Sequence, residues 1–229
     1  GSHLFYHLKE EHNVIGFDLK NGHDILKSEF PRDIDLVIHL AGLSGVRDSL
    51  DKPTDYWKTN VIGTQRLFEH YRDVRVIYAS SSTAHEPWKN PYAMSKYSME
   101  QLDHNNSVGM RFTTIYGPGA RVNMLIPKIL RNDIQYININ HIRDFIHVND
   151  IVSAVDIMMN NTFRGVVDVG TGISNKLVDI VDYFKIDYKS VIGGETERID
   201  NTADTSILNK FGWRAKINLY DYIEQNKVV

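Results

Sequence analysis

The sequence predicts an α/β fold, a doubly wound parallel sheet followed by a smaller lobe, and three observations carry that prediction. The runs IDLVIHLAG (34–42) and VRVIYASSS (74–82) are almost continuously apolar, as expected of strands buried on both faces of a parallel sheet. Helix-length segments separate such runs, and this alternation builds a parallel sheet with helices on its two faces. After YGPGAR (116–121) the segments become shorter and less regular, which marks a second, partly interleaved lobe.

Taken in order, residues 4–12 (LFYHLKEEH) read as a short helix with Leu4, Phe5 and Leu8 on one face. NVIGFDL (13–19) reads as a strand, and 34–42 as the next, ending in small residues. A helix over 54–71, the strand 74–82, a helix over 92–105 and a strand at VGMRFTTIYG (108–117) continue the alternation. Beyond them, MLIPKILRN (124–132) is helical and QYININ (135–140) a strand. RDFIHVNDIVSAVDIMMN (143–160) is a turn followed by a helix, and VVDVGTG (166–172) a strand and turn. Helices near 204–211 and 218–226 close the chain, with no repeats, low-complexity tracts or obvious linker.

The bulk properties exclude several function classes. The 229 residues are 42% hydrophobic and 24% charged, ordinary values for a globular protein. A net charge of −3 offers no basic field for nucleic acid or an anionic membrane. There is no cysteine, hence no disulfide or thiolate chemistry, which suits a reducing, cytoplasmic setting. No apolar run approaches the roughly 20 residues of a membrane span, and no signal peptide is visible. The ten histidines show no HExxH-like spacing, so no metal is expected.

In such sheets ligands bind where strands end. Asp18, at the end of the second expected strand, can accept hydrogen bonds from both hydroxyls of an adenosine ribose, and it would repel a 2′-phosphate. A solvated turn aspartate is the equal alternative. Ala41-Gly42 and the following Leu43-Ser44-Gly45 are small enough for a ligand to approach the backbone, or for tight helix–strand packing. Ser80-Ser81-Ser82-Thr83 are four hydroxyls at a strand end, a pattern shared by ordinary turns and caps. Downstream, NPYAMSKY places Tyr92 and Lys96 at i and i+4, on one helix face. A tyrosine titrates near about 10, and an adjacent cation lowers a pKa by about 1–3 units. The pair can therefore supply a general base for a sugar hydroxyl.

HLAGLSGVRDSL, YWKTNVIGT, VIYASSST, PYAMSK, MRFTTIYGPGAR, RDFIHVNDIV, VVDVGTG and TADTSILNKFGW together resemble the extended short-chain dehydrogenase/reductases of the nucleotide-sugar epimerase/dehydratase type, over nearly the whole chain. The resemblance implies a Rossmann-like fold, an NAD-binding domain over 1–118 to which 143–170 partly contributes, and a nucleotide-sugar-binding lobe mainly over 119–229. It implies Ser81, Tyr92 and Lys96 as the catalytic set, with Lys96 also on the nicotinamide ribose. The cofactor residues it implies are Gly1, Asp18, Asp24 and Ile25 beside the adenosine, Leu40, Ala41 and Gly42 along the phosphates and ribose, Asn60, and Tyr116 and Pro118 at the nicotinamide. Arg143 and Arg198 match diphosphate ligands, a role suited to a bidentate guanidinium; Arg121 is placed with the substrate. A surface ion pair of Arg143 with Asp144 or Asp150 is the alternative.

The reaction follows from departures within the family. Its dehydratases carry Asp-Glu after the catalytic hydroxyl residue, where this chain has Ser82 and Thr83, and its decarboxylating members need a glutamate that is absent. That leaves 4-epimerisation with bound NAD, in which the cofactor carries the redox step. The alternatives are a 4-keto-sugar reductase and a dinucleotide-binding protein without turnover. AGLSGVRDSL and RFTTIYGPGAR most resemble UDP-glucuronate 4-epimerases, in which Ser82, Thr83 and Thr114 would surround the sugar carboxylate. A UDP-sugar is thus the expected partner, and a homodimer through helices 54–71 and 92–105 the expected assembly. Three further departures stand out: Ala84-His85-Glu86 replaces the family's Val-Tyr-Gly, the loop before Tyr92 is short, and the lobe is trimmed around 138–141. Finally, Asp18 follows Gly1 at close to the roughly 20-residue spacing between a glycine motif and its ribose acid. Gly1 is therefore expected to be the last glycine of that motif, with a strand and earlier glycines preceding it.

Overall fold

A computed structural model describes residues 1–227. In chain order the elements begin with α1 (Ser2–Leu8), β1 (Leu36–His39), α2 (Val46–Asp51), α3 (Pro53–Tyr56), a π-helical segment (Trp57–Ile62), α4 (Gly63–His70), β2 (Arg75–Ser81), α5 (Pro91–Glu100) and β3 (Ser107–Phe112). They continue with β4 (Thr114–Tyr116), α6 (Leu125–Leu130), β5 (Tyr136–Asn138), β6 (Ile142–Arg143), β7 (Phe145–His147), α7 (Val148–Met159) and β8 (Gly165–Val169). The last are β9 (Asn175–Lys176), α8 (Leu177–Tyr183), β10 (Lys189–Val191), α9 (Ser206–Lys210) and α10 (Leu219–Asn226). The chain divides into two compact units, residues 1–111 with 155–167, and residues 112–154 with 168–229. No helix among the described residues is long and apolar enough to cross a membrane.

The first unit is built on a four-stranded sheet of order β1-β2-β3-β8. β1 and β2 pair in parallel, in register from Leu36↔Arg75 to His39↔Tyr78. The apolar run of β2 is buried as its composition demands, with Val76, Ile77 and Tyr78 inside. Leu67 and Phe68 of α4 join Tyr78, Met99, Ile25 and Phe30 in one core. α5 starts where the sequence places a start: Pro91 occupies its first turn, and Asn90 Oδ1 accepts from the Ala93 N–H at 2.8 Å.

Three elements differ from the sequence expectation. Residues 13–18 form no strand; Asp18 is extended and caps a 3₁₀ turn over Leu19–Asn21. A strand needs a ladder partner, and among the described residues β1 pairs only with β2. Aromatic contacts hold the segment instead, Phe17 stacking on His23 at 4.8 Å and meeting Phe30 at 5.4 Å. The helix expected over 54–71 is helical from 53 to 70 but carries the π-helical turn at its middle, burying Asn60 and Val61. The helix expected over 92–105 stops at Glu100, because His104 turns back: its ring meets Phe68 at 4.6 Å and its Nε2 lies 3.0 Å from the Tyr71 carbonyl.

The second unit has short strand pairs: β4 parallel to β7, β5 parallel to β10, and β6 antiparallel to β9. The expected strand 108–117 is therefore two strands, broken at Thr113, with β3 in the four-stranded sheet and β4 on β7. The segment expected as a turn before the helix of 143–160 holds β6 and β7. The core gathers Tyr116, Ile129, Phe145, Ile180 and Ile223. Its polar centre is Asp144, which is fully buried. The carboxylate accepts from Thr171 N (2.9 Å), Thr171 Oγ1 (2.6 Å), Gly172 N (2.9 Å) and Ala203 N (3.2 Å). Such charge-assisted bonds make the burial of a carboxylate tolerable. Gly170 is required beside it, since a Cβ there would strike Asp144 Oδ2 and come within 2.8 Å of Thr113 Cγ2. Asp150 does similar work, accepting from Lys216 N and Ile217 N at 3.1 Å each.

Candidate active site

The centre of the candidate site belongs to the first unit, where β2 ends and α5 begins. Lys96 is buried, and its Nζ donates to the Ala79 carbonyl at 2.7 Å. Burial pushes its pKa down to about 8, against the opposing pull of the Glu100 carboxylate. Tyr92, one turn earlier on α5, is half-buried, its ring edge-on to Tyr56 at 6.0 Å. Ser81 closes β2, and its Oγ accepts from Thr83 N at 3.2 Å and Thr83 Oγ1 at 2.9 Å. A hydroxyl that accepts twice keeps its own proton to donate. Ser82 is buried and Thr83 half-buried in the 3₁₀ turn that follows.

Asn60 joins three parts of this unit. From the π-helical segment it accepts from Leu43 N (2.7 Å) and donates to Leu43 O (3.0 Å) and Ser95 Oγ (2.9 Å). The loop after β1 is thereby tied to α5. Leu40 is half-buried, while Ala41 and Gly42 are exposed on that loop. A Cβ on Gly42 would lie 2.9 Å from Asn60 Oδ1 and 3.5 Å from Lys96 Nζ, so glycine keeps the approach to the lysine open.

His39, at the end of β1, is a site residue that the sequence reading passed over; its signal was a lone polar side chain inside an apolar run. Its Nε2 lies 2.9 Å from Thr64 Oγ1, and Thr64 Oγ1 donates to the Asn60 carbonyl at 2.5 Å, so the ring must supply the proton. Burial, reinforced by the Lys96 charge, holds its pKa down at about 3. The folded state thus binds fewer protons than an unfolded chain whose histidine titrates near about 6.5. Stability is expected to fall by about 1.4 kcal/mol per pH unit from this group as pH drops from about 6.5 towards 3. Urea unfolding across that window, with His39→Gln as control, checks this; an equal slope in the variant overturns it.

The remaining expected cofactor residues of this unit also make local contacts. Gly1 caps α1, its carbonyl accepting from Phe5 N at 2.9 Å. Asp18 is exposed, with Oδ1 accepting from Lys20 N at 2.8 Å. Asp24 Oδ1 accepts from Leu26 N at 2.9 Å, and Ile25 is in the core, where a Cβ on Gly63 would meet it at 3.0 Å.

In the second unit, Thr114 Oγ1 accepts from Asn201 Nδ2 at 3.0 Å. Tyr116 is buried against His147 and Tyr222, its hydroxyl 3.3 Å from the Ile217 carbonyl, while Pro118 and Arg121 are exposed. Arg143 donates from Nη1 to the carbonyls of Ile142 and Ile199 at 2.8 Å each, and from Nη2 to His141 Nδ1 (3.0 Å) and Glu197 Oε2 (3.4 Å). The alternative ion pair with Asp144 or Asp150 is therefore corrected: backbone donors occupy both of those carboxylates. Arg198 is half-buried beside this group.

The residues fit a dinucleotide: the small, exposed Ala41 and Gly42 follow β1, and Gly42 leaves the buried Lys96 ammonium approachable. The protein CapI of Staphylococcus aureus is 32% identical over 64% of this chain and 53% of its own length. The chain spans about half the length of the first curated relatives it matches. Among solved structures, MoeE5 in complex with UDP-glucuronic acid and NAD superposes with a TM-score of 0.80 at 26% identity, covering 98% of this chain and 93% of that one. The UDP-glucuronic acid 4-epimerase of Bacillus cereus shares the fold with a TM-score of 0.86 at 22% identity, covering 99% and 94%. Residues 1–170 match the NAD dependent epimerase/dehydratase family, and with a parallel sheet whose second strand ends on Ser81, ahead of the helix that carries Tyr92 and Lys96, the chain belongs to that family.

Proposed function

We propose that this chain serves NAD-dependent 4-epimerisation of a nucleotide-sugar, with UDP-glucuronate as substrate. The observation that carries the reading is the buried Lys96 on one face of α5 with Tyr92, at the end of a strand whose next residues, Ser82 and Thr83, offer hydroxyls and no carboxylate. Without a carboxylate acid or base there, water loss has no proton carrier.

Tyr92 takes the proton from the sugar 4-hydroxyl, its phenolate favoured by the Lys96 ammonium. Ser81 donates a hydrogen bond to the same oxygen and keeps its proton, orienting the hydroxyl towards Tyr92. NAD, when bound, would supply a reversible hydride acceptor for C4. Asp18, Asp24, Ile25, Leu40, Ala41, Gly42 and Asn60 hold the cofactor in this reading, with Tyr116 and Pro118 assigned to its nicotinamide end. Ser82, Thr83 and Thr114 donate to the sugar carboxylate without an ion pair, which leaves the ring able to turn over. Arg121, Arg143 and Arg198 take the diphosphate, which then competes with Glu197 for Arg143 Nη2.

UDP-glucuronate incubated with the protein and NAD is expected to yield UDP-galacturonate by anion-exchange chromatography. Steady NADPH consumption with a 4-keto-sugar, and no epimer, would instead make the protein a reductase. Exposed Trp57 and Ile62 on the helical run 53–70, and Met94 and Tyr97 on α5, support a homodimer through these helices. Light scattering on the same sample is expected to give twice the 26.4 kDa chain mass, and the monomer mass would refute it.

A further inference from the structure

We infer that Glu100 is a positioning residue for Lys96: clamped by Arg111 and Ser80, it fixes a buried negative charge one turn beyond the lysine and keeps that lysine protonated. The inference rests on the reading of Lys96 as the electrostatic partner of Tyr92. The Glu100 side chain is 1% exposed. Arg111 grips it bidentately, Nε to Oε1 at 2.8 Å and Nη2 to Oε2 at 2.6 Å, and Ser80 Oγ donates to Oε1. Three elements thus converge on one carboxylate: Ser80 from β2, Arg111 from β3 and Glu100 at the last position of α5.

The need for such a charge follows from the burial of Lys96. A buried ammonium with three donors loses its charge readily unless neighbours favour it, and the hydrogen bond to the Ala79 carbonyl uses one donor. Lys96 and Glu100 stand at i and i+4, so their side chains share a helix face. The guanidinium fixes the carboxylate in place through two parallel hydrogen bonds. The Glu100 carboxylate is the group whose charge supports that of Lys96. The other titratable groups around this cluster do not supply a negative charge. His39 of β1 is held neutral, with a pKa of about 3. Tyr78 of β2 has its phenol pushed up by burial and by Glu100. His85, from the turn after β2, lies with both ring nitrogens 3.4–3.5 Å from Arg111 Nη1. Tyr92 is the base itself.

The test reads Lys96 directly and needs neither substrate nor cofactor. Protein carrying ¹³C-ε-lysine is titrated by NMR, with Lys96 assigned through Lys96→Arg. In Glu100→Gln, the Lys96 midpoint is expected to fall by at least one pH unit, a tenfold loss of charged lysine at a given pH above it. Glu100→Asp keeps the charge and is expected to restore most of the shift. A merely structural clamp would lower the midpoint in Glu100→Asp as far as in Glu100→Gln, and that result, or an unmoved midpoint in Glu100→Gln, overturns the inference. Should Glu100→Gln fail to fold, a midpoint lowered by about one pH unit or more in Glu100→Asp overturns it equally. Where turnover is measurable, the high-pH limb of kcat is expected to move down with the midpoint in Glu100→Gln. If the protein epimerises no sugar, the NMR midpoints still decide the role of Glu100.

Discussion

Tyr92→Phe is expected to lower kcat for UDP-glucuronate epimerisation by about 10³-fold with little change in KM, the middle of the range for a lost general base. The substitution removes one oxygen and keeps the ring that meets Tyr56 edge-on at 6.0 Å, so the fold is expected to melt as the wild type does. The loss then falls on proton transfer alone. Initial rates across pH, with circular dichroism as the control on folding, measure it. A variant within about tenfold of wild type would remove Tyr92 from the role of base. Equal inactivity of wild type and variant over a panel of UDP-sugars would refute the enzymatic reading altogether.

Asp144→Ala is expected to destabilise the second unit by about 3–5 kcal/mol. Four donors, from Thr171 N, Thr171 Oγ1, Gly172 N and Ala203 N, lose their acceptor at once. A buried donor left unmet costs about 1–3 kcal/mol, and those nearest the surface recover water. For a chain of this length, the change corresponds to a fall in Tm of roughly 6–20 °C. Asp144→Asn is expected to lie between, since its oxygen still accepts while its amide faces N–H groups. Thermal melts decide it, and an alanine variant within about 1 kcal/mol of wild type would show that the carboxylate is not the centre of that unit.

Much of the first unit was legible in the sequence because its signals are local. The runs that became β1 and β2 are apolar throughout, and the start of α5 is marked by Asn90 and Pro91. The spacing of Tyr92 and Lys96 put both on one helix before any coordinate did. What stayed illegible depends on distant partners. Residues 13–18 have strand composition, yet a strand is a pairing, and composition cannot supply the neighbour. The π-helical turn around Asn60 has no periodicity distinct from the helices that flank it. The short helix α2 and the helix α8 are too brief for an amphipathic pattern to stand out. Asp144 read as an ion-pair candidate for Arg143, although its acceptors serve backbone N–H groups from residues 171–203. His39 and Glu100 matter through residues 25 and 11 positions away in the chain, at Thr64 and Arg111.

The division of the chain has a consequence for its biosynthesis. The first unit is discontinuous, residues 1–111 being completed only by 155–167. During translation β3 emerges with one neighbour, β2, while the strand that covers its other side, β8, is still unmade. At about 5–20 residues per second, the 56 residues from 111 to 167 take roughly 3–11 s. For that interval the nascent chain exposes an unpaired strand edge, the kind of surface that invites pairing with other chains. His7, whose Nε2 meets Asp156 Oδ2 at 2.8 Å, also waits for a residue of the late segment. The ribosome's pace across 112–167 therefore sets how long that strand edge stays open.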